Sequence, residues 1–158
     1  MAPTRGGVDA LPPEFMNDGD THMADALPTK TTQRLSWAAQ IIAALILGQT
    51  LFFKFAGAPE SIYIFERLGV EPWGRYLTGL FEIVAVVLLL IPRTAGLGAL
   101  MAIGLMLGAL GSHITTLGIE VQGDGGLLFG LAVTTLIAAS TVAYLQRRHI
   151  PVLRGSRE

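Results

Sequence analysis

The sequence predicts an all-α integral membrane protein. It reads as a four-transmembrane-helix antiparallel bundle with both termini cytoplasmic and a short interfacial helix between helices 1 and 2. Three observations carry this. Hydrophobic residues make up 51% of the 158-residue chain and charged ones 15%, against about 25% charged in soluble domains, and mean hydropathy is +0.55. The charges are segregated, leaving four apolar runs close to the roughly 20 residues that cross a ~30 Å hydrocarbon core. Basic residues gather on the connections expected at one end of such a bundle.

Composition also excludes several functions. The chain has no cysteine, which rules out disulfides, thiolate metal sites and thiol-based lipid anchors within it. A net charge of -1 without a basic stripe interleaved with aromatics argues against nucleic acid. No Walker loop, dinucleotide fingerprint or nucleophile elbow occurs.

Residues 1–30 carry prolines, glycines and five acids (Asp9, Glu14, Asp18, Asp20, Asp25) without helical periodicity. They read as a disordered cytoplasmic tail without the apolar core of a signal peptide. Met1, Met16 and Met23 are all candidate starts. The membrane domain is expected over 31–146, and its first span, about 35–55, follows Lys30 and Arg34. In the connection after it, Ile62, Ile64, Phe65 and Leu68 flank Glu66 and Arg67, the pattern of a short interfacial helix. Trp73 and Tyr76 suit the aromatic belt at the headgroups.

The second span, about 76–91, is interrupted by Glu82 and ends at the turn Pro92-Arg93-Thr94. The third, about 95–117, is glycine-rich. Gly104, Gly108 and Ser112 recur every four residues on one face, which predicts close helix packing. Gly130, Thr134 and Ala138 repeat the pattern on the fourth span, about 127–145. Residues 147–158 form a basic cytoplasmic tail. Lys30, Arg34, Arg93, Arg147, Arg148, Arg154 and Arg157 fall on one side, and only Arg67 and Arg75 on the other. Seven against two places the first set in the cytoplasm.

This orientation brings three ionisable residues to one level. Lys54 ends the first span among Phe52, Phe53 and Phe55. Glu82 lies about 9 Å inward from Tyr76, and His113 about 6 Å inward from the end of the third span. Charged groups in hydrocarbon are costly, about 2.5–3.5 kcal/mol at a helix centre on insertion scales. Lys54 can snorkel; Glu82 cannot, and is expected to pair with Lys54 or stay protonated. Gln49 and Thr78 add hydrogen-bonding capacity. Two readings follow: an ion pair that clamps two helices, or a polar pocket that holds a head group or exchanges protons through Glu82 and His113. A haem or metal site is not expected, since His22 and His149 lie across the membrane from His113.

Three motifs carry a resemblance: Phe52-Phe53-Lys54-Phe55-Ala56-Gly57, then Phe65-Glu66-Arg67-Leu68-Gly69, then Gly79-Leu80-Phe81-Glu82-Ile83. With Ala102, Leu105, Gly108 and His113 on the third helix, the chain resembles the DoxX/DoxD family over about residues 35–145. The resemblance implies a four-helix protein of the bacterial cytoplasmic (inner) membrane, of a kind found as a small partner subunit of quinone-linked oxidoreductases or membrane detoxification complexes. It carries the family's lysine, glutamate and histidine onto Lys54, Glu82 and His113. The expected function is thus a membrane subunit beside an oxidoreductase partner, with quinone as the candidate cofactor. In that reading Glu82 and His113 are the catalytic candidates, with Lys54, Gln49 and Thr78 binding ligand. The alternative is a non-enzymatic scaffold or assembly factor. Oligomeric state is left open.

Overall fold

A computed structural model describes residues 30–147. The expectations for the two tails, the alternative starts and His22 and His149 lie outside the described residues. Five helices follow in order: α1 (Lys30–Ala56), α2 (Pro59–Arg67), α3 (Trp73–Leu90), α4 (Ala95–Ser112), which widens into a π-turn over His113–Leu117, and α5 (Leu127–Leu145). Among the described residues there is no strand. The helices α1, α3, α4 with its π-turn, and α5 are each long and apolar enough to cross a membrane.

Local chemistry sets the helix ends. Gly57, at φ 68°, terminates α1: the Ala58 N–H reaches back to the Phe53 carbonyl (3.0 Å) and the Gly57 N–H to that of Lys54 (3.4 Å). This is a Schellman closure, for which a left-handed glycine is suited. Pro59, at the first position of α2, has no N–H to leave orphaned. Gly69, at φ 71°, closes α2 the same way, with Val70 donating to Phe65 (2.9 Å). Between α3 and α4 the Thr94 hydroxyl donates to the Leu88 carbonyl (3.0 Å).

The four long helices form a closed ring in which α1 packs on α3 and α5, and α4 packs on the same two. The interior is built from small residues, Ala43, Ala85, Ala99 and Ala139 among them, with Leu47, Leu89 and Val142. Large apolar side chains point outward: Leu45, Phe52 and Ile137 are each more than 60% exposed. Small inside and large outside is the distribution expected where lipid, not water, surrounds a bundle and close backbone approach drives packing. Gln146 Nε2 donates to Ser36 Oγ (3.3 Å). This joins the end of α5 to the start of α1, so the described ends of the chain share one end of the bundle. The helix α2 and the 118–126 connection lie at the other.

The glycine stripe differs from expectation. A Cβ on Gly104 or Gly108 would meet nothing within 4 Å, whereas one on Gly98 would come within 2.6 Å of the Leu89 backbone nitrogen. The tight α3–α4 approach is therefore at Gly98, one turn after the connection. The Gly104–Gly108–Ser112 face lines a cavity.

Candidate functional site

At the α2 end the ring opens into a cavity of about 760 Å³, lined by the last turns of α1, the first turns of α3 and α5, the end of α4, and the underside of α2. Antiparallel order is what brings residues 46–54, 73–82, 104–117 and 127–132 to one depth. Ser61 and Phe65 are the buried residues of α2 and face inward, while Glu66 and Arg67 are exposed on its other side; Glu60, also exposed, is among the residues that line the cavity. The walls are mostly apolar, among them Phe53, Leu77, Leu105, Met106 and Leu131.

The charged centre is an ion pair between helices. Lys54 Nζ lies 2.9 Å from Glu82 Oε1, and both side chains are largely buried. The second carboxylate oxygen, Oε2, accepts from the Thr50 hydroxyl at 3.2 Å, a hydroxyl that also lies 2.8 Å from the Leu47 carbonyl. One face of α1 thus supplies both partners of Glu82. A buried carboxylate needs such satisfaction of its lone pairs, because desolvating it unpaired costs several kcal/mol.

A second ion pair braces the first. Arg75 meets Glu71 through Nε (2.9 and 3.0 Å) and through Nη2 (2.7 Å). Its Nη1 donates to the backbone carbonyl of Lys54, adding a charged donor to an acceptor in the last turn of α1 that otherwise has only the long bond from Gly57. Arg75 is itself buried, so the guanidinium fixes where α1 ends relative to α3, and with it the root of the Lys54 side chain. The planar fork of arginine suits this double duty.

His113 occupies the opposite part of the same cavity, where α4 widens into the π-turn. Its Nδ1 lies 2.7 Å from the Gly118 carbonyl, and the Gly118 N–H donates back to the His113 carbonyl (2.9 Å). A carbonyl can only accept, so Nδ1 carries the hydrogen. Phe129 of α5 meets the ring edge-on, with centroids 5.6 Å apart. Asp124 holds the neighbouring connection together. Its Oδ1 accepts from the N–H groups of Val121 (2.8 Å) and Gly126 (2.9 Å), and its Oδ2 from that of Leu128 (2.8 Å). Burial alone pushes the Asp124 carboxyl up, but the three backbone donors and nearby His113 outweigh it and hold its pKa below the ordinary value.

Of the residues singled out in the sequence, Lys54 and Glu82 are in direct contact, and His113 shares their cavity. Thr78 lines it too, but its hydroxyl turns back onto its own helix, 2.9 Å from the Gly74 carbonyl. The Gln49 side chain also lines the cavity and makes no hydrogen bond among the described residues. Sequence reasoning passed over Thr50, Arg75, Glu71 and Asp124. Thr50 was accessible by spacing, since it precedes Lys54 by one turn. No group of three or more His, Asp or Glu side chains poised for a metal ion occurs among the described residues. Residues 38–140 match the DoxX-like family. No curated protein and no solved structure matches the chain significantly.

Proposed function

Because this chain belongs to the DoxX-like family, we propose that it is a membrane subunit of a quinone-linked oxidoreductase or membrane redox complex, holding a quinone head group between Lys54–Glu82 and His113. The observation that carries this reading is the cavity. Its volume, about 760 Å³, falls in the range of small-molecule sites, which are mostly apolar with a few convergent polar groups. Apolar walls with an ammonium at one side and an imidazole at the other suit a planar ring with oxygens at opposite edges and an apolar tail. Such a group, when bound, carries electrons and protons in pairs.

The chain's own residues bind and position. Lys54 has N–H bonds beyond the one directed at Glu82, and one of these serves a ligand oxygen. Glu82, paired with Lys54, brings a carboxylate into the cavity from α3 and exchanges a proton there. The α2 underside limits access of water. The family resemblance favours the bacterial cytoplasmic membrane, and the distribution of basic residues favours both termini inside, which sets the cavity in the outer half of the bilayer. The oxidoreductase partner would bind from that side.

Glu82→Gln tests this. Quinone-dependent activity of the complex should be lost while the variant still inserts and folds in the membrane. Wild-type turnover in that variant would sink the proposal.

One feature favours a second reading, a scaffold in which the pair is only a clamp: both oxygens of Glu82 already have protein partners. Under that reading Lys54→Met with Glu82→Leu restores the yield that either change alone lowers, and the double variant keeps full function of the complex.

A further inference from the structure

We propose that the cavity selects the reduced, hydroxyl-bearing form of its head group over the oxidised form, through Nε2 of His113. The inference rests on the quinone reading above and deepens it.

The Nδ1–H of His113 is committed to the Gly118 carbonyl (2.7 Å), and the ring is held there from two sides. Gly118 returns its own N–H to the His113 carbonyl (2.9 Å), and Phe129 packs edge-on against the imidazole. The Gly118 carbonyl is aimed by a backbone at φ 81°, a conformation that glycine adopts freely and other residues do not. In the neutral ring the remaining nitrogen, Nε2, is therefore a bare acceptor. It makes no hydrogen bond among the described residues. The buried polar side-chain atoms that lack a partner there are Gln40 Oε1 and Gln146 Oε1, so Nε2 is not sealed away from the cavity that His113 lines.

The hydroxyls around the cavity do not change this balance. The single hydroxyl hydrogen of Thr50 is shared between the Leu47 carbonyl and Glu82, Thr78 donates to Gly74, and Ser112 to the Gly108 carbonyl at 3.0 Å. Free N–H donors remain at Lys54 and at the Trp73 indole, both of which line the cavity. Ser61 and the amide of Gln49 can serve either role, and the exposed carboxylate of Glu60 on α2 is a further acceptor in the lining. Oxygen lone pairs are present on both redox forms of a quinone head group, so Lys54 and Trp73 bind either one. Nε2 needs a hydrogen, and only the reduced form brings one. The π-turn thus acts as a positioning device: a widened last turn commits one ring nitrogen and leaves the other as the discriminating atom.

The test measures binding, not turnover. Wild-type protein in mild detergent is titrated calorimetrically, under anaerobic conditions, with a decyl-chain benzoquinone and with the same compound reduced to the benzoquinol. One hydrogen bond's worth of selectivity is about five- to tenfold, in favour of the quinol. His113→Asn keeps an amide N–H in reach of the Gly118 carbonyl but removes the distal acceptor. It should lose that factor for the quinol and leave quinone affinity unchanged. Equal wild-type affinity for the two forms overturns the inference and leaves the quinone reading standing. An equal loss of both forms in His113→Asn also overturns it. No binding of either form by wild type overturns both. Should His113→Asn fold poorly, Gly118→Ala serves instead: straining the anchor should erode the preference for the quinol before it affects the quinone.

Discussion

Glu82 and Asp124 are both carboxylates saturated by the protein, but by different means. Glu82 is met by side chains one turn apart on α1. Replacing Thr50 with valine keeps the shape and removes the hydroxyl beside Oε2. A hydrogen bond to a charged group contributes about 1.5–3 kcal/mol, and the loss should appear as a lower midpoint in thermal unfolding in detergent. Asp124 is met by three backbone N–H groups, and its folded pKa lies below the ordinary value of 3.8. A depressed carboxyl contributes stability that is fully present above the unfolded pKa and is lost as pH falls through the folded one. The Asp124 contribution should therefore stay constant through neutral pH and disappear only below 3.8. Asp124→Asn should lower the unfolding midpoint at pH 7, and the gap to wild type should close on acidification into that range. At this scale the sequence revealed Lys54 and Glu82 because a charge in an apolar run stands out. A threonine does not stand out, so Thr50 could be found only through its spacing of one turn from Lys54. Gln49, five residues before Lys54, is turned about 140° from it around the helix, while Thr50, four before, is turned only about 40°.

At the scale of elements, the apolar runs gave four helices of membrane length, and their small residues gave a correct expectation of close packing in the wrong place. Glycine spacing alone cannot tell a helix contact from a cavity wall, since both need a missing side chain. Gly98 is the contact and Gly104 and Gly108 are the wall. Gly98→Ala must push α3 from α4 and should cost about 1–3 kcal/mol, as overpacking does. Gly104→Ala meets no atom and should be neutral or stabilising by up to about 1 kcal/mol through helix propensity. Parallel thermal unfolding of the two variants in the same detergent separates these outcomes. The start of α3 was also misread by hydropathy. Arg75 looked like a loop residue, but with Glu71 and the Lys54 carbonyl satisfying its guanidinium, it lies buried within the first turn of a helix beginning at Trp73.

For the whole molecule, the even number of crossings and the asymmetry of basic residues made an antiparallel bundle legible. A polar pocket at this end was one of the two readings the sequence offered; its size and mostly apolar walls were not legible, because they depend on how the ends of four helices pack beneath α2. Topology is directly testable, since the chain has no cysteine of its own. A membrane-impermeant maleimide added to intact cells should label Glu120→Cys in the 118–126 connection. It should reach Arg93→Cys in the α3–α4 turn only after permeabilisation; the reverse pattern inverts the orientation.

The central claim is that the cavity between Lys54–Glu82 and His113 is where a quinone sits. The most direct measurement is mass spectrometry of lipid-soluble molecules extracted from protein purified in mild detergent, comparing wild type with Gly108→Phe. That variant projects a ring into the cavity from a position where a Cβ meets nothing. The account predicts near-stoichiometric quinone with the wild type and its loss from a Gly108→Phe protein of unchanged unfolding midpoint. Wild-type protein without quinone, or equal quinone in both, would contradict it.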